Sequence, residues 1–189
     1  MPDTLPEKPP LSIIDGWLIN ARHCASPNFN SRPHNTVVDL IIVHNISLPP
    51  GQFNNGYIED FFCNQLDPKQ HLYFESIYQL QVSAHCVIKR SGEIIQCVSF
   101  NERAWHAGKS IFEGRENCND YSIGIELEGT DTLPYTSAQY AQLQHLSHAL
   151  MQHYPHINPA RISGHNTIAP ERKTDPGESF NWDYFLNLF

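Results

Sequence analysis

The stretch Val37-Val38-Asp39-Leu40-Ile41-Ile42-Val43-His44 decides the fold class of this chain. It is β-branched and almost continuously apolar, which is typical of a central strand that is buried on both faces of a sheet. We expect the strand to end at His44-Asn45, because Pro49-Pro50-Gly51 follows shortly and stops regular structure. A side chain at the end of such a strand lies where a rigid scaffold presents catalytic groups to a cleft.

The rest of the chain predicts one layered domain around this strand. Thr136 and Gln139 form a predicted capping box at the start of a long helix, and Pro155 bars its continuation. The segment 104–121 has no period and predicts a long loop. The order of elements predicts an α/β or α+β fold with a single central sheet covered by helices. The other predicted elements are a short helix over 57–64, a β-hairpin over 82–88 and 93–98, strands over 122–127 and 162–165, and a helix over 182–189.

Length and charge exclude several classes of protein. The 189 residues suit a single domain. The 12 Lys and Arg residues against 20 Asp and Glu residues give a net charge of −8, without a basic stripe. This balance argues against nucleic acids and anionic membrane surfaces as partners. The longest aliphatic run, 40–43, is far shorter than the ~20 residues of a transmembrane helix.

The N-terminus and the cysteines predict a cytoplasmic protein. We expect residues 1–12 to form a flexible lead before one domain over 13–189. The lead has no apolar core and no cleavage-like site, so it is not a secretory signal. The five cysteines form an odd set without a C-x-x-C pair, which is typical of reduced, mostly buried thiols in the cytosol.

Two histidines and one aspartate are candidate metal ligands. His44 and His165 each end a predicted strand, and Asp175 lies ten residues after His165. Two imidazoles and one carboxylate can hold Zn²⁺ and leave a fourth position for water. The spacing is not diagnostic, because the chain has no H-E-x-x-H motif. Asp175-Pro176-Gly177 is also typical of a plain turn, and His44 is also compatible with a bond to a backbone carbonyl.

Other polar residues allow two interpretations each. Glu126 and Glu128 share a strand face by alternation. They are either a general base with a structural partner or a solvent-facing pair, and the residues alone favour the solvent-facing pair. Lys173 is either a solvated loop lysine or an electrophile beside a metal. His85 lies mid-strand and is expected to be buried and hydrogen-bonded, whereas His106 is expected on a binding surface.

Six blocks in one order carry a specific resemblance. They closely resemble the zinc amidases, a family that includes phage T7-type lysozyme and the peptidoglycan recognition proteins. Within it they are most similar to the branch of cytoplasmic 1,6-anhydro-N-acetylmuramyl-L-alanine amidases. The resemblance runs from about residue 15 to residue 182. The blocks are Ile42-Val43-His44-Asn45-Ile46-Ser47-Leu48-Pro49-Pro50-Gly51, Val82-Ser83-Ala84-His85-Cys86, Arg103-Ala104-Trp105-His106-Ala107-Gly108, Cys118-Asn119-Asp120, Ser122-Ile123-Gly124-Ile125-Glu126-Leu127-Glu128-Gly129-Thr130-Asp131, and Gly164-His165 followed by Ile168-Ala169-Pro170-Glu171-Arg172-Lys173-Thr174-Asp175-Pro176-Gly177.

The resemblance implies a mixed central sheet flanked by helices, with one zinc ion in a cleft. It implies that His44, His165 and Asp175 hold the metal and leave one position open for water. Phage-type relatives often use Cys as the third ligand, so Asp175 favours the anhydro-muramyl branch. Glu126 matches the catalytic acid/base of the family and Lys173 its stabilising cation.

The implied substrate is a small muropeptide of bacterial cell-wall recycling. The bond cleaved is the amide between anhydro-N-acetylmuramic acid and L-alanine, and a monomer is expected. Three positions match residues that line the substrate cleft of the family: Asn45, Ala104 and Trp105.

One departure concerns the stem peptide of the substrate. Relatives carry arginines where this chain has Gln81 and Asn117, and the second arginine helps to hold a stem-peptide carboxylate. Charge-assisted bonds there would be lost, and Arg115 is the residue expected to replace them. The alternatives to a recycling amidase are a broad-specificity peptidoglycan amidase and a non-catalytic peptidoglycan-binding module.

Overall fold

The computed structural model describes residues 11–189. Of the flexible lead expected over 1–12, residues 1–10 therefore lie outside the described residues, and the domain boundary at residue 13 stays a prediction. None of the helices within 11–189 has the length and hydropathy that a membrane-spanning segment requires.

The described residues form short strands, four α-helices and three 3₁₀ turns. The strands are β1 Ile13–Ile14, β2 Trp17–Leu18, β3 Arg22–His23, β4 Phe29–Ser31, β5 Leu40–Ile46, β6 Cys86–Ile88, β7 Ile94–Gln96, β8 Glu102–Ala104, β9 Ile111–Phe112, β10 Arg115–Glu116, β11 Ser122–Glu128 and β12 Ile162–Gly164. The α-helices are α1 Tyr57–Phe62, α2 Ser137–His153, α3 His165–Ile168 and α4 Trp182–Leu186. The 3₁₀ turns are Leu72–Ser76, Cys118–Asp120 and Pro159–Arg161.

A six-stranded mixed sheet in the order β12-β5-β11-β6-β7-β3 forms the centre of the fold. Strand β5 is parallel to both β12 and β11, and β11 is parallel to β6. Strands β6 and β7 form the expected antiparallel hairpin. The expected single central sheet, mixed and covered by helices, is therefore confirmed.

The decisive strand β5 is shifted relative to its prediction. It begins at Leu40 rather than Val37, and it continues beyond His44 to Ile46. It continues because β11 pairs with it over its whole length, up to the pair of Glu128 with Ile46. His44 thus lies within the strand, close to its end.

The two faces of the sheet have different partners. The apolar odd-numbered residues of β5 and β11 pack into one apolar core with α2 and α4. Even-numbered residues of the same strands point to the other face, because side chains alternate along a strand. His44 and Glu126 belong to this second face, which we call the site face.

Helix α2 follows its sequence prediction closely. Thr136 and Gln139 form the capping box, and the helix stops at His153, two residues before Pro155. Its buried side chains include Tyr140, Leu143 and Leu150, as the helical spacing predicted.

The prediction of one long loop over 104–121 is wrong, because part of this segment has regular structure. Strands β9 and β10 pair within it as a small hairpin, and Cys118–Asp120 forms a 3₁₀ turn. Glu113 and Gly114 join the two strands with φ values of 49° and 81°. Two successive residues with positive φ match the twist of a tight hairpin, so Gly114 was the available signal.

The favoured interpretation of Glu126 and Glu128 as a solvent-facing pair is also wrong. Glu128 is fully buried, and its carboxylate lies 3.0 Å from the ammonium of Lys89. It also accepts hydrogen bonds of 3.0 Å from the backbone N–H groups of Asn54 and Arg90. Glu128 therefore ties two loops to the end of β11, which is a structural role.

We predict that Lys89→Met destabilises the protein by about 3–5 kcal/mol, because it leaves the buried charge of Glu128 unpaired. Urea denaturation at pH 7.5 measures the change in the free energy of unfolding. The matched control is Lys69→Met, since Lys69 is exposed and its removal should cost less than about 0.5 kcal/mol. Equal effects of the two variants would contradict this account of Glu128.

Candidate metal centre

Three side chains from separate parts of the sequence converge on the site face. His44 lies near the end of β5, and His165 directly follows the neighbouring parallel strand β12 as the first residue of α3. Asp175 comes from the loop after α3. His44 Nδ1 lies 2.9 Å from His165 Nδ1, and Asp175 Oδ2 lies 3.0 Å and 2.9 Å from these two atoms. The structure therefore brings together all three predicted ligands.

The hydrogen bond made by His165 Nε2 decides whether His165 Nδ1 carries a hydrogen or a lone pair. His165 Nε2 lies 3.1 Å from the carbonyl oxygen of Ala107, which can only accept a hydrogen bond. The Nε2 atom therefore carries a hydrogen, and the Nδ1 atom of the neutral ring is an acceptor. An imidazole lone pair then faces the Asp175 carboxylate, which is also an acceptor. Such a cluster fits a cation, and two imidazole nitrogens with a carboxylate oxygen are a typical zinc donor set.

Burial keeps the imidazole of His44 unprotonated at neutral pH. Burial lowers the pKa of His44 to about 4, although the nearby Asp175 opposes this shift. Because a metal binds only the deprotonated imidazole, this shift favours metal binding at neutral pH.

Glu126 lies beside these residues without a partner of its own. It is the register neighbour of His44 across the β5–β11 ladder, so both side chains lie on the site face. It is 9% exposed, and its Oε2 atom has no hydrogen-bond partner among the described residues. Burial raises its pKa well above the ordinary value, Asp175 raises it further, and Lys173 lowers it. Buried carboxyl groups with a raised pKa are typical of residues that transfer protons.

A cleft of about 700 Å³ opens over this cluster. Lys173 lies on its wall together with Arg172, and both come from the loop that carries Asp175. Another part of the cleft lining is mainly apolar. It comprises Leu48, Pro50, Phe61, Tyr73, Ile77 and Leu80.

The three predicted substrate-binding residues differ in their placement. Trp105 lines the cleft, and its indole N–H donates a 2.7 Å bond to Asn30. Asn45 also lines the cleft, but its amide N–H groups donate to Asp131 Oδ1 and to the Pro176 carbonyl at 2.8 Å and 3.1 Å. Ala104 is fully buried in β8, and its neighbour Trp105 provides the lining.

Arg115 does not take the place of the missing arginines. Its guanidinium stacks 3.7 Å from the ring centroid of Tyr121 and pairs with Asp39 at 3.5 Å. These contacts hold it outside the residues that line the cleft. Arg172 is the arginine that does line it, and two backbone carbonyls accept bonds of 2.6 Å and 2.9 Å from its guanidinium. Sequence reasoning missed Arg172, although it directly precedes Lys173.

The other two candidate histidines are His85 and His106, whose rings pack against each other, and His106 also contacts His44. His85 is fully buried and hydrogen-bonded, as expected, and its Nδ1 atom accepts a 3.0 Å bond from the N–H of Gly124. His106 was expected on a binding surface. It does line the cleft, but its Nδ1 atom also lies 2.9 Å from His44 Nε2, which sequence reasoning missed.

Comparison with known proteins agrees with this geometry. Residues 34–178 match the family model described as N-acetylmuramoyl-L-alanine amidase, which covers most of the chain and includes every residue of the cluster. The chain belongs to the N-acetylmuramoyl-L-alanine amidase family.

Individual members of this amidase family are similar over most of the chain. The 1,6-anhydro-N-acetylmuramyl-L-alanine amidase AmpD of Haemophilus influenzae is 54% identical over 175 residues, which cover 93% of this chain and 95% of that protein. A crystal structure of a selenomethionine AmpD derivative superposes with a TM-score of 0.91 at 54% identity, covering 94% and 99% of the two chains.

A more distant structure holds a ligand. The amidase AmiD from Escherichia coli, in complex with the substrate anhydro-N-acetylmuramic acid-L-Ala-D-γ-Glu-L-Lys, superposes with a TM-score of 0.59 at 25% identity. The match covers 94% of this chain and 65% of that chain.

We predict that Glu126→Gln stabilises the metal-free amidase at neutral pH. The folded state raises the pKa of Glu126, so it binds a proton that the unfolded chain has already lost above about pH 4.5. The contribution of Glu126 to stability therefore declines as pH rises, and Gln removes this penalty. Urea denaturation with a chelator should show the variant more stable at pH 7.5, with the difference shrinking towards pH 4.5.

The control for this comparison is Glu178→Gln, because Glu178 is exposed. Its difference from the unsubstituted protein should be small at both pH values. A Glu126→Gln variant that is less stable than the unsubstituted protein at pH 7.5 would show that the carboxyl group is not an unfavourable buried charge.

Proposed function

We propose that the protein is a zinc-dependent amidase of muropeptides. It cleaves the amide between the lactyl group of anhydro-N-acetylmuramic acid and L-alanine. The observation that carries the proposal is the convergence of His44, His165 and Asp175 beside the unpaired carboxyl group of Glu126. The name of the relative at 54% identity supports the anhydro-muramyl substrate, and the substrate in the AmiD complex has the same sugar–alanine linkage.

The proposed zinc ligands are His44 Nδ1, His165 Nδ1 and Asp175 Oδ2. This set holds one ion and leaves one position open for water. When bound, zinc polarises the scissile carbonyl group and increases the acidity of a water molecule. The low pKa of His44 keeps this ligand ready for the ion at neutral pH.

Glu126 is the proposed general base and general acid. Its carboxylate removes a proton from the attacking water while the water oxygen bonds to the amide carbon. As the carbon–nitrogen bond breaks, Glu126 returns that proton to the departing amine of L-alanine. Its burial and lack of a competing hydrogen bond leave the carboxyl group free to carry the proton between the two sites.

Lys173 is the proposed electrostatic partner of the reaction. Its side chain lines the cleft, and it is close enough to lower the pKa of Glu126. A fixed positive charge there offsets the negative charge that develops on the amide oxygen during attack. It also favours the ionised form of Glu126 that accepts the proton from water.

The walls of the cleft are the proposed substrate contacts. The Trp105 ring offers a flat apolar face to a sugar ring. We retain Ala104 as a candidate substrate contact through its backbone, and Asn45 through its side-chain carbonyl oxygen.

Because one chain supplies every residue of the site, we propose a monomer, with the amidase domain over 13–189. The five free cysteines support a reducing cytoplasm as its location.

We predict that Asp175→Ala loses zinc and activity together. Two imidazoles alone hold zinc poorly, and the lost carboxylate also leaves the ion without charge compensation. Elemental analysis after dialysis should find less than about a tenth of the zinc of the unsubstituted protein. Asp183→Ala, which removes an exposed carboxylate, is the control and should keep its zinc. Full zinc content in Asp175→Ala would remove this residue from the ligand set.

We predict that Glu126→Gln keeps zinc but turns over at least about a hundredfold more slowly, because the amide cannot accept a proton. The change preserves the shape of the side chain and touches none of the proposed ligands. Turnover and zinc content should be measured on the same sample. Turnover within threefold of the unsubstituted enzyme would exclude Glu126 as the proton carrier.

A product assay by mass spectrometry tests the function itself. Anhydro-muramyl tripeptide and intact peptidoglycan are offered separately, each with and without a chelator. Release of tripeptide from the anhydro fragment alone, abolished by the chelator, is the expected result. Comparable release from the polymer would identify a broad-specificity amidase. No release from either substrate by zinc-loaded protein would identify a binding module.

A further inference from the structure

The imidazole of His106 connects the candidate metal centre to strand β11. Its Nδ1 atom lies 2.9 Å from His44 Nε2, and its Nε2 atom lies 3.2 Å from the hydroxyl of Ser122. The Ser122 hydroxyl in turn lies 2.6 Å from the carbonyl oxygen of Cys118. Three side chains and one carbonyl group therefore form a continuous chain of hydrogen bonds.

The Cys118 carbonyl group determines which atom donates and which accepts in every hydrogen bond of this series. The Cys118 carbonyl can only accept, so the Ser122 hydroxyl donates to it. The Ser122 oxygen is then the acceptor for the Nε2–H of His106. A neutral His106 protonated at Nε2 has its lone pair on Nδ1, where it accepts from the Nε2–H of His44. The lone pair of His44 is thus on Nδ1, the atom that faces Asp175.

The surrounding residues leave the His106 ring little freedom. Gly124 lies beneath the ring, and a Cβ atom there would clash with it. The backbone N–H of His106 donates a 3.1 Å bond to Asn119 Oδ1. The ring of His85 packs edge-on against it at 5.7 Å between centroids. Its position is therefore fixed from its backbone side, its lower face and its edge.

We propose that His106 is a positioning residue of the metal centre, which fixes the tautomer and orientation of His44. This inference rests on the proposed zinc-dependent function. The other imidazole, His165, is oriented by the Ala107 carbonyl, which no side-chain substitution can remove. His44 depends on a side-chain acceptor, and this dependence can be tested directly. Outer partners of this kind typically contribute 10–100-fold to metal affinity.

Comparing His106→Asn with His106→Leu tests the role of the hydrogen-bond acceptor that His106 Nδ1 offers to His44. Both side chains have four heavy atoms and branch at Cγ, but only Asn places an oxygen where His106 has Nδ1. Zinc affinity is measured at pH 7.5 by competition with a chromogenic chelator. The absorption spectrum of the cobalt-loaded protein reports the ligand geometry.

The expected result separates the two variants. His106→Leu should bind zinc 10–100-fold more weakly and show an altered cobalt spectrum, whereas His106→Asn should stay within about threefold of the unsubstituted protein. Unchanged affinity in His106→Leu, or equal losses in both variants, would overturn the proposal. If the unsubstituted protein itself binds no zinc, the proposed function fails instead.

A second variant applies if His106→Leu does not fold, as judged by circular dichroism of the metal-free protein. Ser122→Ala removes the acceptor for the Nε2–H of His106 and releases the tautomer of that ring. It should weaken zinc binding severalfold, with a smaller effect than that expected of His106→Leu. Unchanged zinc affinity in Ser122→Ala would then overturn the proposal.

Discussion

The parallel pairing of β5 with β11 is the constraint on which the site depends. The register places Glu126 directly beside His44 on one face of the sheet. Strand β12 pairs with the other side of β5, so the chain that leaves it delivers His165 to the same edge. A slip of one residue in either ladder would turn these side chains to the opposite face, into the apolar core under α2. The fold thus sets the spacing of the cluster before any ligand binds.

Glu126 and Glu128 are both buried on the site face of β11, but their surroundings give them different roles. Glu128 is buried against the ammonium of Lys89 and two backbone N–H groups, which satisfy its charge. Glu126, two residues earlier, faces the cleft with an unpaired oxygen and a raised pKa. The first arrangement stabilises the fold, and the second holds a carboxyl group ready to exchange a proton. The different surroundings come from the loops on the site face, which pair with one carboxylate and leave the other open.

The sequence predicted the parts of this structure that depend on local patterns. The apolar run of β5, the capping box of Thr136 and the hairpin of β6 and β7 are local signals, and each was found with small shifts in its bounds. The convergence of His44 with residues more than a hundred positions away has no local signal, so spacing alone left it open. The resemblance to the amidases supplied it.

Other features escaped prediction because they depend on three-dimensional contacts. The burial of Glu128 requires the Lys89 loop to fold over it, which no alternation pattern indicates. The contact of His106 with His44 requires the space that Gly124 leaves on β11. Arg115 was expected near the stem peptide, but the ring of Tyr121 and the carboxylate of Asp39 hold it elsewhere.

The most direct test of the account is a crystal structure of the zinc-loaded protein, with anomalous diffraction recorded on both sides of the zinc absorption edge. The account predicts one anomalous peak, about 2.0–2.2 Å from His44 Nδ1, His165 Nδ1 and Asp175 Oδ2. A structure in which these atoms bond only to one another while zinc lies elsewhere, or does not bind, would contradict it.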